Sequence, residues 1–152
     1  MTRNLFCILM LVFTGCCYAQ TGSASSSHEL PLLISGALPG YPPIARAAAI
    51  TGSIKVRASL KDGRVVETNV LSENLESRGL ILKSDSPFLT LPTVENLKSW
   101  RFNSDVNDTI VVTYTYDISG AETDQPTNPR VEMLPSLDVN ITARPVKPTV
   151  NY

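Results

Sequence analysis

The sequence is poor in the residues on which most catalytic and metal sites depend. Its 152 residues include one histidine, one tryptophan and three cysteines. A single histidine, His28, excludes zinc sites that need two or more histidine ligands. The formal net charge of −1 offers no general attraction to nucleic acid or to anionic lipid. The length fits one domain with appendages and excludes a large multidomain enzyme.

The chain nevertheless contains enough apolar sequence to build a core. Hydrophobic residues make up 43% and charged residues 18% of it, and the mean hydropathy is +0.04. This composition is typical of a globular chain. We expect no enzymatic activity, no metal and no cofactor, because His28 lies in a serine-rich segment and no clear acid and base pair is visible. The oxygen-rich loop 103–108 lacks the glycine and the glutamate of an EF-hand calcium loop.

All three cysteines lie in an N-terminal segment that has the features of an export signal. Arg3 is followed by an apolar run over residues 5–13, and small residues precede a cleavage site after Ala19. The run is shorter than the roughly 20 residues of a membrane-spanning helix. We therefore expect a signal peptide at 1–19 and a periplasmic or secreted product. Cys16 ends a sequence similar to a lipobox, so lipidation of Cys16 and anchorage in the envelope is the alternative.

Residues 20–37 predict a flexible tether that ends in an apolar extended segment. A short helix with prolines in its first turn begins near Tyr41, and an alternating strand follows over residues 54–61. The Asp-Gly pair at 62–63 predicts a tight turn into a second strand, from residue 64 to about residue 72. Basic residues on the polar side of this hairpin are interpreted as a solvated face and not as a patch for phosphate or nucleic acid: Lys55, Arg57, Lys61 and Arg64.

The second half of the chain predicts a helix and two more strands. The helix has Pro92 in its first turn and a core-facing stripe that ends at Trp100. Residues 109–118 alternate most clearly and predict a strand. Residues 120–152 predict a linker and a proline-containing tail, in which the alternation at 137–144 indicates a possible extra strand. We hypothesise that this strand pairs with the edge of the domain, either completing the sheet or occupying the groove of a partner peptide.

Five short sequences resemble, in order and spacing, the C-terminal domain of the TonB energy-transducer family: YPPIAR at 41–46, GSIKV at 52–56, DGRV at 62–65, VLS at 70–72 and WRF at 100–102. The resemblance covers residues 38–119. It implies an α+β fold of two short helices packed on a three-stranded antiparallel sheet. The periodicity independently predicts the same order of helix, strand, strand, helix and strand. The tether of residues 20–40 reaches roughly 70 Å at most. We expect this to be too short to reach the outer membrane from the inner one, which suggests a stand-alone secreted relative.

The resemblance implies a protein-binding module of the cell envelope, with outer-membrane transporters as candidate partners in TonB-type transmembrane transport. Strand addition is the implied mode, in which an extended peptide pairs with an edge strand. We expect that edge to be the strand 109–118, with these partner-binding residues: Ile110, Val111, Val112, Thr113, Tyr114, Thr115 and Tyr116. Exposed edges also permit a dimer. The alternative is a structural or assembly-related envelope lipoprotein, anchored through Cys16 and without energy coupling.

Overall fold

The computed structural model describes residues 30–83, 87–103 and 105–147. These contain eight strands: β1 (Leu33–Ser35), β2 (Ile50–Lys61), β3 (Arg64–Ser77), β4 (Leu80–Ile81), β5 (Arg101–Phe102), β6 (Thr109–Ile118), β7 (Arg130–Met133) and β8 (Asp138–Ala143). They also contain two helices, α1 (Pro43–Ala47) and α2 (Pro87–Lys98). The expected signal peptide, Cys16 and most of the expected tether lie outside the described residues.

All eight strands form one sheet that curls into a half-barrel. The strand order is β1-β5-β3-β2-β6-β8-β7, and β4 pairs with the far end of β3. The pairing of β6 with β8 is parallel, whereas the other pairings are antiparallel. The fold is therefore mostly β, with 48% of the described residues in strands and 15% in helices. The expected α+β fold with a three-stranded sheet is wrong.

The sheet is larger than expected because segments on both sides of residues 38–119 join it. Near the N-terminus, β1 pairs with β5, where Leu33 lies opposite Phe102. Near the C-terminus, β8 lies along β6 and β7 pairs with β8. In addition, β3 continues past residue 72 to Ser77, because its partner β2 begins at Ile50 and pairs with it along the whole length.

The long β2–β3 ladder requires a glycine at position 52. Gly52 has a φ of +127°, and a Cβ at this position would lie 2.0 Å from the carbonyl oxygen of Asn74 on β3. No other residue fits so close to the neighbouring backbone in that conformation. At the other end of the ladder, Asp62 and Gly63 both have positive φ and form the turn that the sequence predicts.

Both helices pack on the concave face of the sheet. Tyr41, just before α1, meets the ring of Tyr116 edge to face, with 5.4 Å between the ring centroids. The face of α2 that carries Leu89 and Thr93 is buried, and Thr93 contacts Tyr116 of the same strand, β6. Helix α2 begins earlier than expected, at Pro87, so Pro92 lies inside the helix and leaves one carbonyl without its usual amide partner.

The core lies between these helices and the inward-facing residues of three neighbouring strands. Every second residue of β2, β6 and β8 is buried: Ile54, Val56, Ala58, Leu60, Ile110, Val112, Tyr114, Tyr116, Val139, Ile141 and Ala143. Trp100 is fully buried and packs against Phe102 and Tyr114, with ring centroids 6.2 and 6.1 Å away. The prediction that Trp100 belongs to the core is confirmed.

Candidate functional site

The strand that was expected to be the binding edge lies inside the sheet. On one side, β6 pairs with β2 from Thr109 to Tyr116. On the other side, its residues from Thr113 to Ile118 pair with β8. The expectation of a free edge along β6 is therefore corrected. Only the first residues of this strand, 109–112, lack a described partner on the β8 side.

Strand β8 is part of the core and not a loosely bound substitute for a partner peptide. Its inward residues Val139 and Ile141 are fully buried, and Ala143 is nearly so. Burying a valine or isoleucine side chain stabilises the fold by about 1.5–3 kcal/mol. A partner peptide that displaced β8 would have to replace all of that burial. Of the two hypotheses for residues 137–144, the structure favours completion of the sheet.

The tyrosines of β6 hold the helix α2 in place. The hydroxyl of Tyr114 donates to the side-chain oxygen of Asn96 at 3.0 Å, and the indole N–H of Trp100 donates to the same oxygen at 3.2 Å. The hydroxyls of Tyr116 and Thr93 share a hydrogen bond of 2.8 Å. Burial raises the pKa of both tyrosines above the ordinary value, so both remain protonated at neutral pH. These side chains therefore pack β6, the expected binding strand, against α2.

An open strand edge occurs instead in the middle of β3. The outer side of β3 pairs with β5 at Arg64 and with β4 at Glu76 and Ser77. Between these points, no described strand pairs with residues 66–72 on the side away from β2. We call residues 66–72 the β3 edge. At about 3.3 Å per residue it is roughly 23 Å long.

The alternation of the β2–β3 ladder shows which main-chain groups of the β3 edge point outward. Leu60 of β2 donates its amide to the carbonyl of Asp108, on the side of β6 and away from β3. The main-chain groups of every second residue in a strand point to the same side, so those of the even-numbered residues of β2 point toward β6. In an antiparallel ladder, two residues directly opposite each other either both face each other or both face away, so the β3 residues opposite these point away from β2. Thr68 and Val70 lie opposite two such residues. Their amides and carbonyls therefore face away from β2.

A groove between the β3 edge and α2 lies beside these outward groups. Its volume is about 400 Å³, and the following residues line it: Val70, Leu71, Ser72, Glu73, Pro87, Thr90 and Leu91. Leu71 and Leu91 are exposed, and so is Phe88 nearby on α2. At one end, the hydroxyl of Thr90 donates to the carboxylate of Glu73 at 2.7 Å. The groove is thus mostly apolar, with a fixed polar contact between its two walls.

The sequence contained a weak signal for this edge. Val66 and Leu71 are apolar residues on the polar side of a strand, and both are exposed in the structure. Each lies at a register shift of the β2–β3 ladder, where β3 has one extra residue. Such bulges are frequent at sheet edges and beside binding sites. The pattern could have indicated an edge strand, but not which of its sides was open.

Other candidate sites contribute nothing further. Within residues 30–83, 87–103 and 105–147, no group of three or more His, Cys, Asp or Glu side chains could hold a metal ion. No helix in the same ranges is long and apolar enough to cross a membrane. In the loop 103–108, Asn103 donates to Asp105 at 2.8 Å and Asp108 accepts from the amide of Thr109 at 2.6 Å. These contacts are typical of residues that form turns.

Comparison with known proteins adds no relative. No protein-family model, no curated protein and no solved structure matches the chain.

Proposed function

We propose that this chain is an exported, non-enzymatic protein-binding module that receives an extended segment of a partner protein by strand addition at the β3 edge. The observation that carries the proposal is the β3 edge itself, residues 66–72, which is open and lies between the pairings with β5 and β4. An added strand would lie in line between these two short strands. It would pair with the outward main-chain groups of Thr68 and Val70 and fill a gap in the sheet.

The groove beside the edge defines the side chains that such a segment should carry. In strand addition, main-chain hydrogen bonds provide affinity, and pockets for alternate side chains provide selectivity. The wall formed by Val70, Leu71 and Leu91 favours an aliphatic side chain on the added strand. The resemblance to the TonB C-terminal domain family suggests the partner class, namely extended N-terminal segments of outer-membrane transporters.

A proline substitution tests the edge without removing a side chain that the groove needs. Thr68→Pro deletes one outward amide and leaves the hydrogen bonds to β2 intact, because proline is tolerated at a strand edge when its nitrogen faces outward. Thr68→Val is the matched control, since it keeps the amide and nearly the same side-chain shape. Residues 20–152 contain every described residue and serve as bait on solubilised outer membranes.

The bait should capture transporters, and a synthetic peptide of the captured segment should bind the wild type and Thr68→Val alike. Thr68→Pro should bind it at least tenfold more weakly, with an unchanged fluorescence spectrum of the single tryptophan. Equal binding by all three variants would overturn the β3 edge as the site. Failure of the wild type to capture any transporter would overturn the partner class.

A further inference from the structure

The convex face of the sheet carries a concentration of positive charge that the net charge of the chain conceals. The residues of β2 whose side chains alternate with the buried ones point to this face, and three of them are basic. Arg64 of β3 lies opposite Arg101 of β5 in the same register. Together these side chains form what we call the basic face: Lys55, Arg57, Lys61, Arg64 and Arg101.

Neighbouring carboxylates do not neutralise the basic face. None of its five residues forms an ion pair with any residue that the structure describes. Among the residues that the structure describes, Arg101 donates to two main-chain carbonyls, those of Lys98 and Trp100. The acidic residues of the same hairpin surface are Glu67, opposite Ser59, and Glu76, opposite Thr51 at the far end of the ladder. Like charges directly opposite each other, as at Arg64 and Arg101, are unfavourable unless an anion lies between them.

An exposed aliphatic row borders the basic face. In β1, Leu33 packs against the core beside Phe102, whereas its neighbours Leu32 and Ile34 face solvent. They are 69% and 63% exposed, and Leu30 is 48% exposed. We call these three residues the aliphatic row. Since Ser35 of β1 pairs with Arg101, the Ile34 end of the row lies beside Arg101. Both helices pack on the opposite face, so no described helix covers either surface.

We propose that the basic face and the aliphatic row together bind the surface of a membrane that contains anionic lipids. Aliphatic side chains enter the boundary between headgroups and acyl chains, while lysine and arginine contact lipid phosphates. The row lies at the N-terminal end of the described chain, and the basic face is next to it. The β3 edge faces the groove at α2 and would stay accessible. This inference does not depend on the proposed strand addition.

Vesicle co-sedimentation of residues 20–152 tests the proposal. The chain should bind vesicles of phosphatidylglycerol mixed with phosphatidylcholine, and not vesicles of phosphatidylcholine alone. The double variant Lys55→Gln, Arg57→Gln should bind the mixed vesicles about 25-fold more weakly, from about fivefold per basic residue. The matched control Arg78→Gln, Lys147→Gln removes the same charge elsewhere and should bind within twofold of the wild type.

A further variant tests the aliphatic row. Ile34→Ser leaves every charge in place and should reduce the binding that persists at high salt. Equal loss in both double variants would mean that net charge alone controls binding, and this would overturn the proposal. Absence of binding to the mixed vesicles, or tighter binding to soluble heparin than to vesicles, would overturn it as well.

Discussion

The substitution Ile141→Ala should show that the C-terminal segment is an integral part of the fold. Ile141 is fully buried on the inner side of β8, where it pairs with Tyr116 of β6 and Val131 of β7. Truncation removes the equivalent of three methylene groups, worth about 2.4 kcal/mol in transfer free energy. The cavity that remains adds to this, so we expect a loss of about 3–4 kcal/mol in the free energy of unfolding.

Urea denaturation followed by tryptophan fluorescence measures this loss directly. Trp100 is the single tryptophan of the chain and is completely buried, so its emission reports on the core. Asn140→Ala, on the outward side of the same strand, is the control and should change the free energy of unfolding by no more than about 0.5 kcal/mol. An Ile141→Ala protein as stable as the wild type would refute the conclusion that β8 belongs to the core.

Three further changes test the described contacts. Burial raises the pKa of Tyr114 and Tyr116, so their contribution to stability is complete below about pH 10, where unfolded tyrosine titrates, and decreases as the pH rises toward their folded values. Tyr114→Phe should flatten that alkaline decline in a pH series of thermal unfolding. Arg46 is buried and donates to two main-chain carbonyls of the C-terminal segment, at 2.7 and 2.9 Å. Arg46→Met should therefore reduce the free energy of unfolding by about 1–3 kcal/mol in urea, and an unchanged midpoint would contradict these bonds. Gly52→Ala, whose Cβ would collide with β3, should reduce the melting temperature sharply or prevent folding, and near wild-type melting would show that the ladder ends earlier.

The predictable parts of the fold are those with strong local periodicity. The alternation of β2, β6 and β8 identifies each strand and the side that it buries, because one face of each strand lies against the core. The turn at Asp62 and Gly63 and the burial of Trp100 follow from local signals as well. None of these signals states which strands are neighbours.

The parts that could not be predicted depend on short elements and on long-range pairing. Strands β4 and β5 have two residues each, too few for a period to appear in the sequence. The last residues of β3, from Glu73 to Ser77, are polar except for Leu75, and in the sequence they resemble a loop. The position of the candidate site followed from neither composition nor motif. Because β8 pairs with β6 and because β4 and β5 pair only with the ends of β3, the open edge lies on β3, and these pairings depend on how the whole sheet assembles.

Residue-resolved amide hydrogen exchange tests the central claim most directly. In the free chain, the amides of Thr68 and Val70 should exchange much faster than those of Asn69 and Ser72, which face β2. Addition of the captured peptide should slow the exchange of Thr68 and Val70 and leave the other two unchanged. Equal protection of all four amides in the free chain would contradict an open edge. Fast exchange of Thr68 and Val70 that persists with the peptide bound would contradict strand addition at this site.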